Sequence, residues 1–278
     1  MKLKQKLGNN FKQSIKVQSR IFKSKNDYHK IEVYDSSDLG NILVVDNKIV
    51  MTQKDAPSYY EMIAQVPICT HRNPQKVLIL GGGLGGSARE VLRHDDISID
   101  VVELDREIVD VGKKYFGTLS SSLESDSVKL TISNGMDFIS DSEDKSYDII
   151  IVDVPYSSNS QYKELFEPTF YAQANRVLKD DGLLITQGGS YREDIDEHRE
   201  LLKDAGSNFW INMPYNYEFM NRVNNFILAS KKYHPTADII LQRADLIDDL
   251  HYYSSDIQRS SFIMPTYINK ILLGIAKK

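Results

Sequence analysis

The chain has 278 residues, of which 41% are hydrophobic and 26% charged, and its formal net charge is −5. This composition is typical of globular proteins and excludes a disordered or low-complexity chain. No apolar run approaches the roughly 20 residues that a membrane-spanning helix needs, and the acidic balance disfavours a nucleic-acid polymer as a partner. The one cysteine, Cys69, allows no disulfide within the chain and fits a reducing, cytoplasmic location.

The N-terminal part of the chain predicts a small antiparallel β-domain. Between residues 15 and 50, short runs of alternating apolar and polar residues are separated by turn-forming residues. The basic segment at residues 1–16 carries five lysines, and we expect a solvated lead-in to the first strand. Over residues 54–69 the apolar spacing changes to three and four, which predicts a helix. We therefore place a β-domain at residues 1–53 and a second domain at residues 54–278.

From residue 76 onwards, apolar strands alternate with helices. Strand-like runs occupy residues 77–80, 99–104, 128–132, 147–152 and 182–186, with later strands near 208–213 and 225–229. Helical runs occupy residues 88–94 and 108–115. Uninterrupted apolar strands separated by helices predict an α/β fold, a Rossmann-like doubly wound and mostly parallel sheet that is covered on both faces.

A glycine cluster follows the first of these strands. Residues 81–86 read Gly-Gly-Gly-Leu-Gly-Gly and contain a G-x-G-x-x-G spacing between a strand and a helix. Glycines let the backbone approach a ligand, and the amides at the start of the helix face it. Glu103 ends the next strand, where a carboxylate can accept both ribose hydroxyls of an adenosine. We therefore predict a nucleoside site formed by Gly81, Gly83, Leu84, Gly85, Gly86 and Glu103.

Later strand ends narrow the nucleoside to S-adenosylmethionine (SAM) or a relative, because the chain is similar there to the class I SAM-binding fold. Along almost its whole length the chain resembles the spermidine synthase (polyamine aminopropyltransferase) family. The segments that carry the resemblance include Leu43-Val44-Val45-Asp46, Tyr59-Tyr60-Glu61-Met62-Ile63-Ala64, Val102-Glu103-Leu104-Asp105, Phe166-Glu167-Pro168-Thr169-Phe170-Tyr171 and Gln258-Arg259-Ser260-Ser261-Phe262.

The resemblance implies a small N-terminal β-domain joined to a Rossmann-like catalytic domain, commonly in a homodimer. It also implies transfer of an aminopropyl group from decarboxylated SAM to a diamine, with methylthioadenosine as the leaving group. By position, Glu103 would hold the ribose, and Asn134 with Gly135 would contact the adenine. Asp153 would be the catalytic acid that also meets the donor, and Tyr59 would be its partner.

An aspartate at position 153 suits this reaction for a chemical reason. An acceptor amine has a free pKa of about 10 and arrives as an ammonium without a lone pair. A carboxylate at a strand end can stabilise that cation, accept its proton and aim the nitrogen at the carbon next to sulfur. The sequence has no His/Cys cluster with metal-ligand spacing, so we expect no metal cofactor.

Several positions depart from the family's pattern, among them His29, Val50, Ala56 and Gln258, and two further departures bear directly on the substrates. Leu84 stands where the family has an aspartate that pairs with the donor's terminal ammonium, and Tyr156 replaces the aspartate that binds the diamine. These replacements favour ordinary SAM as the donor and a specialised acceptor that lies against Tyr156. The offshoot that fits best is the transferase of microcin C-type peptide–nucleotide antibiotics, which moves a 3-amino-3-carboxypropyl group to a phosphate-linked acceptor.

Three functions stay open on the sequence alone. The first is aminopropyl or aminocarboxypropyl transfer to a specialised small-molecule or modified peptide–nucleotide acceptor, and the second is ordinary spermidine synthesis from decarboxylated SAM and putrescine. The third is a methyltransferase or a non-catalytic nucleoside-binding homologue. On the acceptor side we expect Tyr59, Tyr156 and a late tyrosine, either Tyr215 or Tyr217, of which we assign Tyr215.

Overall fold

A computed structural model of the chain describes residues 1–7, 11–155 and 161–278. The N-terminal region forms two small antiparallel sheets, one of two strands and one of four in sequential order. Their six strands are β1 (Lys2–Leu7), β2 (Phe11–Lys16), β3 (Ser19–Lys25), β4 (Lys30–Ser36), β5 (Gly40–Val45) and β6 (Lys48–Thr52). This confirms the predicted N-terminal antiparallel β-domain.

The basic segment at the N-terminus is a hairpin, so the expected solvated lead-in is corrected. Strand β1 pairs with β2 in antiparallel register, with Lys2 opposite Lys16. Lysines occupy every second position of β1, which places Leu3 and Gln5 on the other face. Leu3 packs against a small apolar cluster that includes Tyr34 and Ile42. The hairpin forms because its apolar side has a surface to cover.

A long helix, α1 (Ala56–Thr70), follows the small sheet and carries a proline in its first turn. The sequence predicts one apolar face, yet 13 of its 15 residues are buried. The helix contacts the larger sheet on one side and the short helix α2 (Gly86–Val91) on another. Packing on more than one side explains why polar residues such as Glu61 and Gln65 are also buried.

The remaining chain builds one seven-stranded sheet in the order β12-β13-β11-β10-β7-β8-β9. Its strands are β7 (Lys76–Gly81), β8 (Ser98–Glu103), β9 (Val128–Ile132), β10 (Tyr147–Asp153), β11 (Leu178–Gly189), β12 (Ile211–Phe219) and β13 (Arg222–Ser230). Five strands are parallel, and β13 and β12 add an antiparallel edge. The predicted Rossmann-like, mostly parallel sheet is confirmed.

Helices cover both faces of this sheet. Besides α1 and α2 they are α3 (Arg106–Tyr115), α4 (Gly117–Ser120), α5 (Gly135–Asp141), α6 (Pro168–Val177), α7 (Ile195–Ala205), α8 (Leu241–Ala244), α9 (Ser255–Ser261) and α10 (Thr266–Ile271). Along β7, Val77 and Ile79 enter one apolar cluster, while Leu78 and Leu80 enter another on the opposite face. Burial on both faces is the reason that these strands read as continuous apolar runs.

The strand order reverses between β7 and β10, which are neighbours in the sheet. Gly81 at the end of β7 lies opposite Asp153 at the end of β10. In open α/β sheets, ligands bind outside the carboxyl ends of the strands at such a switch point. The fold therefore predicts a ligand site at these two strand ends.

Within the described ranges, none of the helices combines the length and the apolar character that crossing a bilayer requires.

Candidate active site

The glycine loop lies at the switch point and is shaped by close contacts. Gly81, Gly82 and Gly85 have positive φ angles, a backbone conformation that side chains with a Cβ rarely adopt. Gly83 is needed for a different reason, because a Cβ there would come within 2.7 Å of Glu103 Oε2. The Gly83 amide instead donates a hydrogen bond to that oxygen at 3.0 Å. The loop and the end of β8 are thus joined directly.

Glu103 is a buried carboxylate that accepts hydrogen bonds from three donors in the described part of the chain. Its Oε2 accepts from the Gly83 amide, while Oε1 accepts from the Asp105 amide and the Tyr162 hydroxyl, each at 3.0 Å. Burial raises the pKa of Glu103, and these hydrogen bonds oppose the increase by stabilising the carboxylate. A second layer supports the group, since His29 Nδ1 lies 3.0 Å from Asp105 Oδ2 and the His29 ring stacks on Tyr162.

The structure places Asp153 and Tyr59, which were predicted to act as partners, in direct contact. The Tyr59 hydroxyl, on α1, donates to Asp153 Oδ1 at 2.8 Å, although the two residues are far apart in sequence. The Ser87 hydroxyl donates to Oδ2 at 2.5 Å. Burial raises the pKa of Asp153, and the hydrogen bonds from Ser87 and Tyr59 counteract part of that increase. Burial and the nearby Asp153 charge also raise the pKa of Tyr59, which keeps this phenol protonated.

A cavity of about 720 Å³ joins these groups. Its walls include Tyr59, Gly83, Leu84, Glu103 and Asp153. Residues of the small β-domain, of the loop before α7 and of the turn between β12 and β13 also line the cavity. One cavity therefore contacts both Glu103, the carboxylate predicted to bind a ribose, and Asp153 at the end of β10.

Several predicted site residues in the described ranges do not line this cavity, namely Gly81, Gly85, Gly86, Asn134, Gly135 and Tyr215. Gly81, Gly85 and Gly86 pack against other parts of the chain that leave no room for a Cβ. Asn134 is the N-cap of α5, where its Oδ1 accepts from the amides of Met136 and Asp137 at 2.6 and 3.2 Å. The oxygen that we expected to meet the adenine amino group thus already has two donors.

The late tyrosine needs a correction. Tyr215 is fully buried, and its hydroxyl donates to the Met62 carbonyl at 3.2 Å, so it belongs to the core. Tyr217, two residues further along β12, lines the cavity and packs edge-on against Tyr59. Leu84, which departs from the family's pattern, lines the cavity and packs against apolar residues of the small β-domain. Tyr156 lies outside the described residues.

One cluster in the described ranges offers three metal-type ligands, His71, Asp148 and Asp181. The Asn73 amide donates to His71 Nδ1 at 3.2 Å, which leaves the proton on Nε2, facing Asp181 Oδ1 at 3.6 Å. Asp148 Oδ2 is occupied by the Lys179 ammonium at 2.9 Å. A protonated Nε2 has no lone pair for a cation, so this cluster is best explained as contacts that tie the starts of β7, β10 and β11 together.

Sequence reasoning kept Tyr217 only as the alternative to Tyr215, and it missed three residues in contact with the site, Ser87, Tyr162 and Gln187. Ser87 directly follows the glycine loop, and Gln187 lies near the end of β11, where parallel strands of such sheets carry functional residues. Their positions therefore carried a signal that could have been used. Tyr162 lies in a segment without regular periodicity, and only the folded chain brings it to Glu103.

Two family models match the chain. The spermine/spermidine synthase domain matches residues 56–240, and the spermidine synthase tetramerisation domain matches residues 3–53. The polyamine aminopropyltransferase of Clostridioides difficile is 36% identical over 270 residues, which cover 95% of this chain and 95% of that protein. The polyamine aminopropyltransferase of Methanocaldococcus jannaschii is 35% identical over 264 residues, covering 92% of this chain and 89% of the relative.

The fold also matches solved structures. A spermidine synthase in complex with the transition-state analogue AdoDATO superimposes with a TM-score of 0.93 at 27% identity, covering 98% of this chain and 94% of that one. Both domains are thus matched in sequence and in three dimensions. The chain belongs to the spermidine synthase family of aminopropyltransferases.

Proposed function

We propose that the enzyme transfers an aminopropyl group from decarboxylated SAM to a diamine such as putrescine and releases methylthioadenosine. The observation that carries this proposal is the shared cavity, which places the Asp153–Tyr59 pair and Glu103 on its walls. Glu103 is suited to the ribose hydroxyls of the donor, and Asp153 to an ammonium group of the acceptor. The names of the relatives support the same chemistry.

Asp153 has two tasks in this reaction. Its carboxylate attracts the acceptor ammonium and takes one proton from it, which frees the nitrogen lone pair. The nitrogen then attacks the propyl carbon next to the sulfonium, and the carbon–sulfur bond breaks with its electron pair going to sulfur. Tyr59 donates to Asp153 Oδ1 at 2.8 Å and so holds the carboxylate in one orientation.

The relatives favour ordinary polyamine synthesis over a specialised acceptor. The two enzymes described above are polyamine aminopropyltransferases, and their names give no support to a peptide–nucleotide acceptor. The sequence argument for such an acceptor depended on Tyr156, which lies outside the described residues. We therefore replace the microcin-type acceptor, as the leading hypothesis, with a diamine.

Mass spectrometry of the products tests this proposal directly. The purified enzyme is incubated with decarboxylated SAM and putrescine, and we expect methylthioadenosine together with an acceptor that has gained one aminopropyl group. Asp153→Asn is the matched control and should lose roughly 10²- to 10⁴-fold in kcat, because positioning and proton transfer both depend on the carboxylate. S-adenosylhomocysteine from ordinary SAM would instead identify a methyltransferase.

Leu84 keeps ordinary SAM as a second candidate donor. The two donors differ by one carboxylate on the propyl arm, and the apolar Leu84 neither attracts the donor ammonium nor repels that carboxylate. We expect Leu84→Asp to shift the preference towards decarboxylated SAM by about 1.5–3 kcal/mol, the usual range for one charge-assisted hydrogen bond. Paired kcat/KM values for both donors measure the shift, with Leu84→Asn as the uncharged control. A wild-type enzyme that already prefers decarboxylated SAM tenfold or more would remove ordinary SAM as a candidate.

The N-terminal match supports an assembled enzyme. We propose that residues 1–53 form the assembly domain and residues 54–278 the catalytic domain, and that at least two copies associate. The name of the matching family model points to a tetramer, whereas the resemblance in sequence implies a homodimer. We also keep the cytoplasm as the proposed location, supported by the single buried Cys69.

A further inference from the structure

The Asp153 carboxylate belongs to a hydrogen-bond chain that is longer than the predicted pair. Gln187 Nε2 donates to the Tyr59 oxygen at 2.7 Å, Tyr59 donates to Asp153 Oδ1, and Ser87 donates to Asp153 Oδ2 at 2.5 Å. These four residues come from β11, α1, β10 and α2. We infer that Ser87 and Gln187 are positioning residues for the proposed reaction, which hold Asp153 ionised and fix the direction of the Tyr59 proton.

The direction of each hydrogen bond in this series follows from which groups can donate a proton and which can only accept one. A carboxylate only accepts, so the hydroxyls of Tyr59 and Ser87 both donate to Asp153. The Gln187 amide nitrogen occupies the acceptor side of the Tyr59 oxygen, which leaves the phenolic proton for Asp153. With the Gln187 amide reversed, two acceptors would compete for that one proton, and a hydrogen bond would be lost. Gln187 thus makes Tyr59 a permanent donor to the carboxylate.

Ser87 acts on Asp153 from behind the cavity. Its side chain is fully buried and is not part of the cavity wall, whereas Tyr59, Asp153 and Gln187 all line it. Ser87 therefore reaches the substrate only through Asp153. Each carboxylate oxygen has about two acceptor sites, so one donor on each oxygen still leaves room for an ammonium on the open side. We call the two hydroxyl donors, Ser87 and Tyr59, the clamp. The clamp orients the Asp153 carboxylate and leaves its substrate-facing side open.

Among the described residues, the groups that favour the ionised form of Asp153 are the hydroxyls of Ser87 and Tyr59. The titratable groups that interact with it are Tyr59 and Tyr60 from α1 and Tyr217 from β12. All three are neutral phenols with raised pKa values. In the described ranges, no Lys, Arg or His side chain forms an ion pair with Asp153. Two hydroxyl donors therefore carry the stabilisation that a cation supplies in other buried carboxylates.

The test measures the carboxyl itself as well as turnover. In enzyme labelled with a carbon isotope at the aspartate carboxyl and assigned with Asp153→Asn, NMR follows the titration of Asp153 without any substrate. We expect Ser87→Ala to move this titration to higher pH and to lower kcat about 10- to 100-fold, as for loss of one charge-assisted hydrogen bond. Ser87→Thr keeps the hydroxyl and should restore both values, while Ser260→Ala, at an exposed serine, should leave both unchanged.

Gln187 is tested by reversing its role. Gln187→Met removes the donor at similar length and should lower kcat only a few-fold, because the Tyr59–Asp153 hydrogen bond remains. Gln187→Glu introduces an acceptor that competes for the Tyr59 proton and a second negative charge, so it should be the more damaging variant and raise the pKa of Asp153. Equal losses for both variants would contradict the assigned direction.

The clamp and the proposed function can fail separately. An unchanged Asp153 titration in Ser87→Ala would overturn the clamp, whatever the enzyme's substrate. A wild-type enzyme that releases no methylthioadenosine would overturn the proposed function, while the titration would still decide whether Ser87 holds the acid ionised. Thermal melting of each variant excludes misfolding as the cause of a lost signal.

Discussion

Glu103 shows how one side chain can organise both the protein and its ligand site. Three donors already hold its carboxylate, and two oxygens offer about four acceptor sites. Binding both hydroxyls of a ribose through Glu103 therefore requires one of the present donors to change partner. Tyr162 is the only one of these three donors that is a side chain, so it is the group best able to move.

We expect Glu103→Ala to weaken methylthioadenosine binding by about 1.5–3 kcal/mol, because the charged hydrogen bonds to the ligand are lost and the donors of the loop lose their partner. Isothermal titration calorimetry measures this difference. Glu124→Ala, at an exposed ion pair with Lys113, is the matched control and should bind as the wild type does. Equal affinities for the Glu103 variant and the wild type would place Glu103 outside the site.

Asp153 should give the enzyme opposite dependences of activity and stability on pH. Burial raises the pKa of this carboxyl above its ordinary value, and so above its value in the unfolded chain. The free energy of unfolding therefore falls as the pH rises through the two pKa values, because the folded protein then carries a costly charge. Activity depends on that same charge, so kcat/KM should fall as the pH drops through the raised pKa.

Asp153→Asn separates these two effects. At neutral pH we expect it to melt at a higher temperature than the wild type and to have little turnover, since the buried charge is gone. Melting curves and pH–rate profiles of both proteins check this expectation. A variant that is less stable than the wild type at neutral pH would mean that the hydrogen bonds to the carboxylate outweigh its desolvation.

Among the helices, α5 has as its N-cap Asn134, the residue that the family resemblance assigns to the adenine. Its Oδ1 caps the helix through two amide hydrogen bonds. We expect Asn134→Ala to lower the free energy of unfolding by about 0.5–2 kcal/mol, the usual range for loss of an N-cap. Asn134→Asp keeps an accepting oxygen and should retain the cap.

A second N-cap separates the structural role of Asn134 from a binding role. Ser254 caps α9 by accepting from the Ile257 amide at 3.2 Å and does not line the cavity. Ser254→Ala should therefore lose stability without a change in donor affinity. If Asn134→Ala also binds methylthioadenosine with unchanged affinity in calorimetry, then Asn134 is a helix cap alone and the predicted adenine contact is wrong.

At the scale of the whole molecule, the two-stranded hairpin of β1 and β2 pairs with no other strand of the described chain. A lone hairpin is marginally stable in water, so contacts within this chain or with another copy must support it. We expect light scattering to give a multiple of the 31.8 kDa chain mass and deletion of residues 2–16 to lower it. A full-length enzyme that stays monomeric at micromolar concentration would contradict the proposed assembly.

Features that depend on local pattern could be predicted from the amino-acid sequence. Continuous apolar runs predicted the strands of the parallel sheet, because strands buried on both faces exclude polar residues. The glycine loop, Glu103 and Asp153 were found at the carboxyl ends of strands, where open α/β sheets generally bind their ligands. The lysine-rich hairpin was missed because its apolar face is short and its partner surface lies elsewhere in the chain.

Which distant side chains share the site became clear only from the folded chain. Ser87 and Asp153 are 66 residues apart, and Gln187 is 128 residues from Tyr59, so no local pattern links them. Tyr215 and Tyr217 lie on the same face of β12, and alternation cannot tell them apart. Their positions along the strand do so, because one lies beneath α1 and the other reaches the cavity wall. The sequence sets which face a side chain takes, whereas the packing of other elements decides what that face meets.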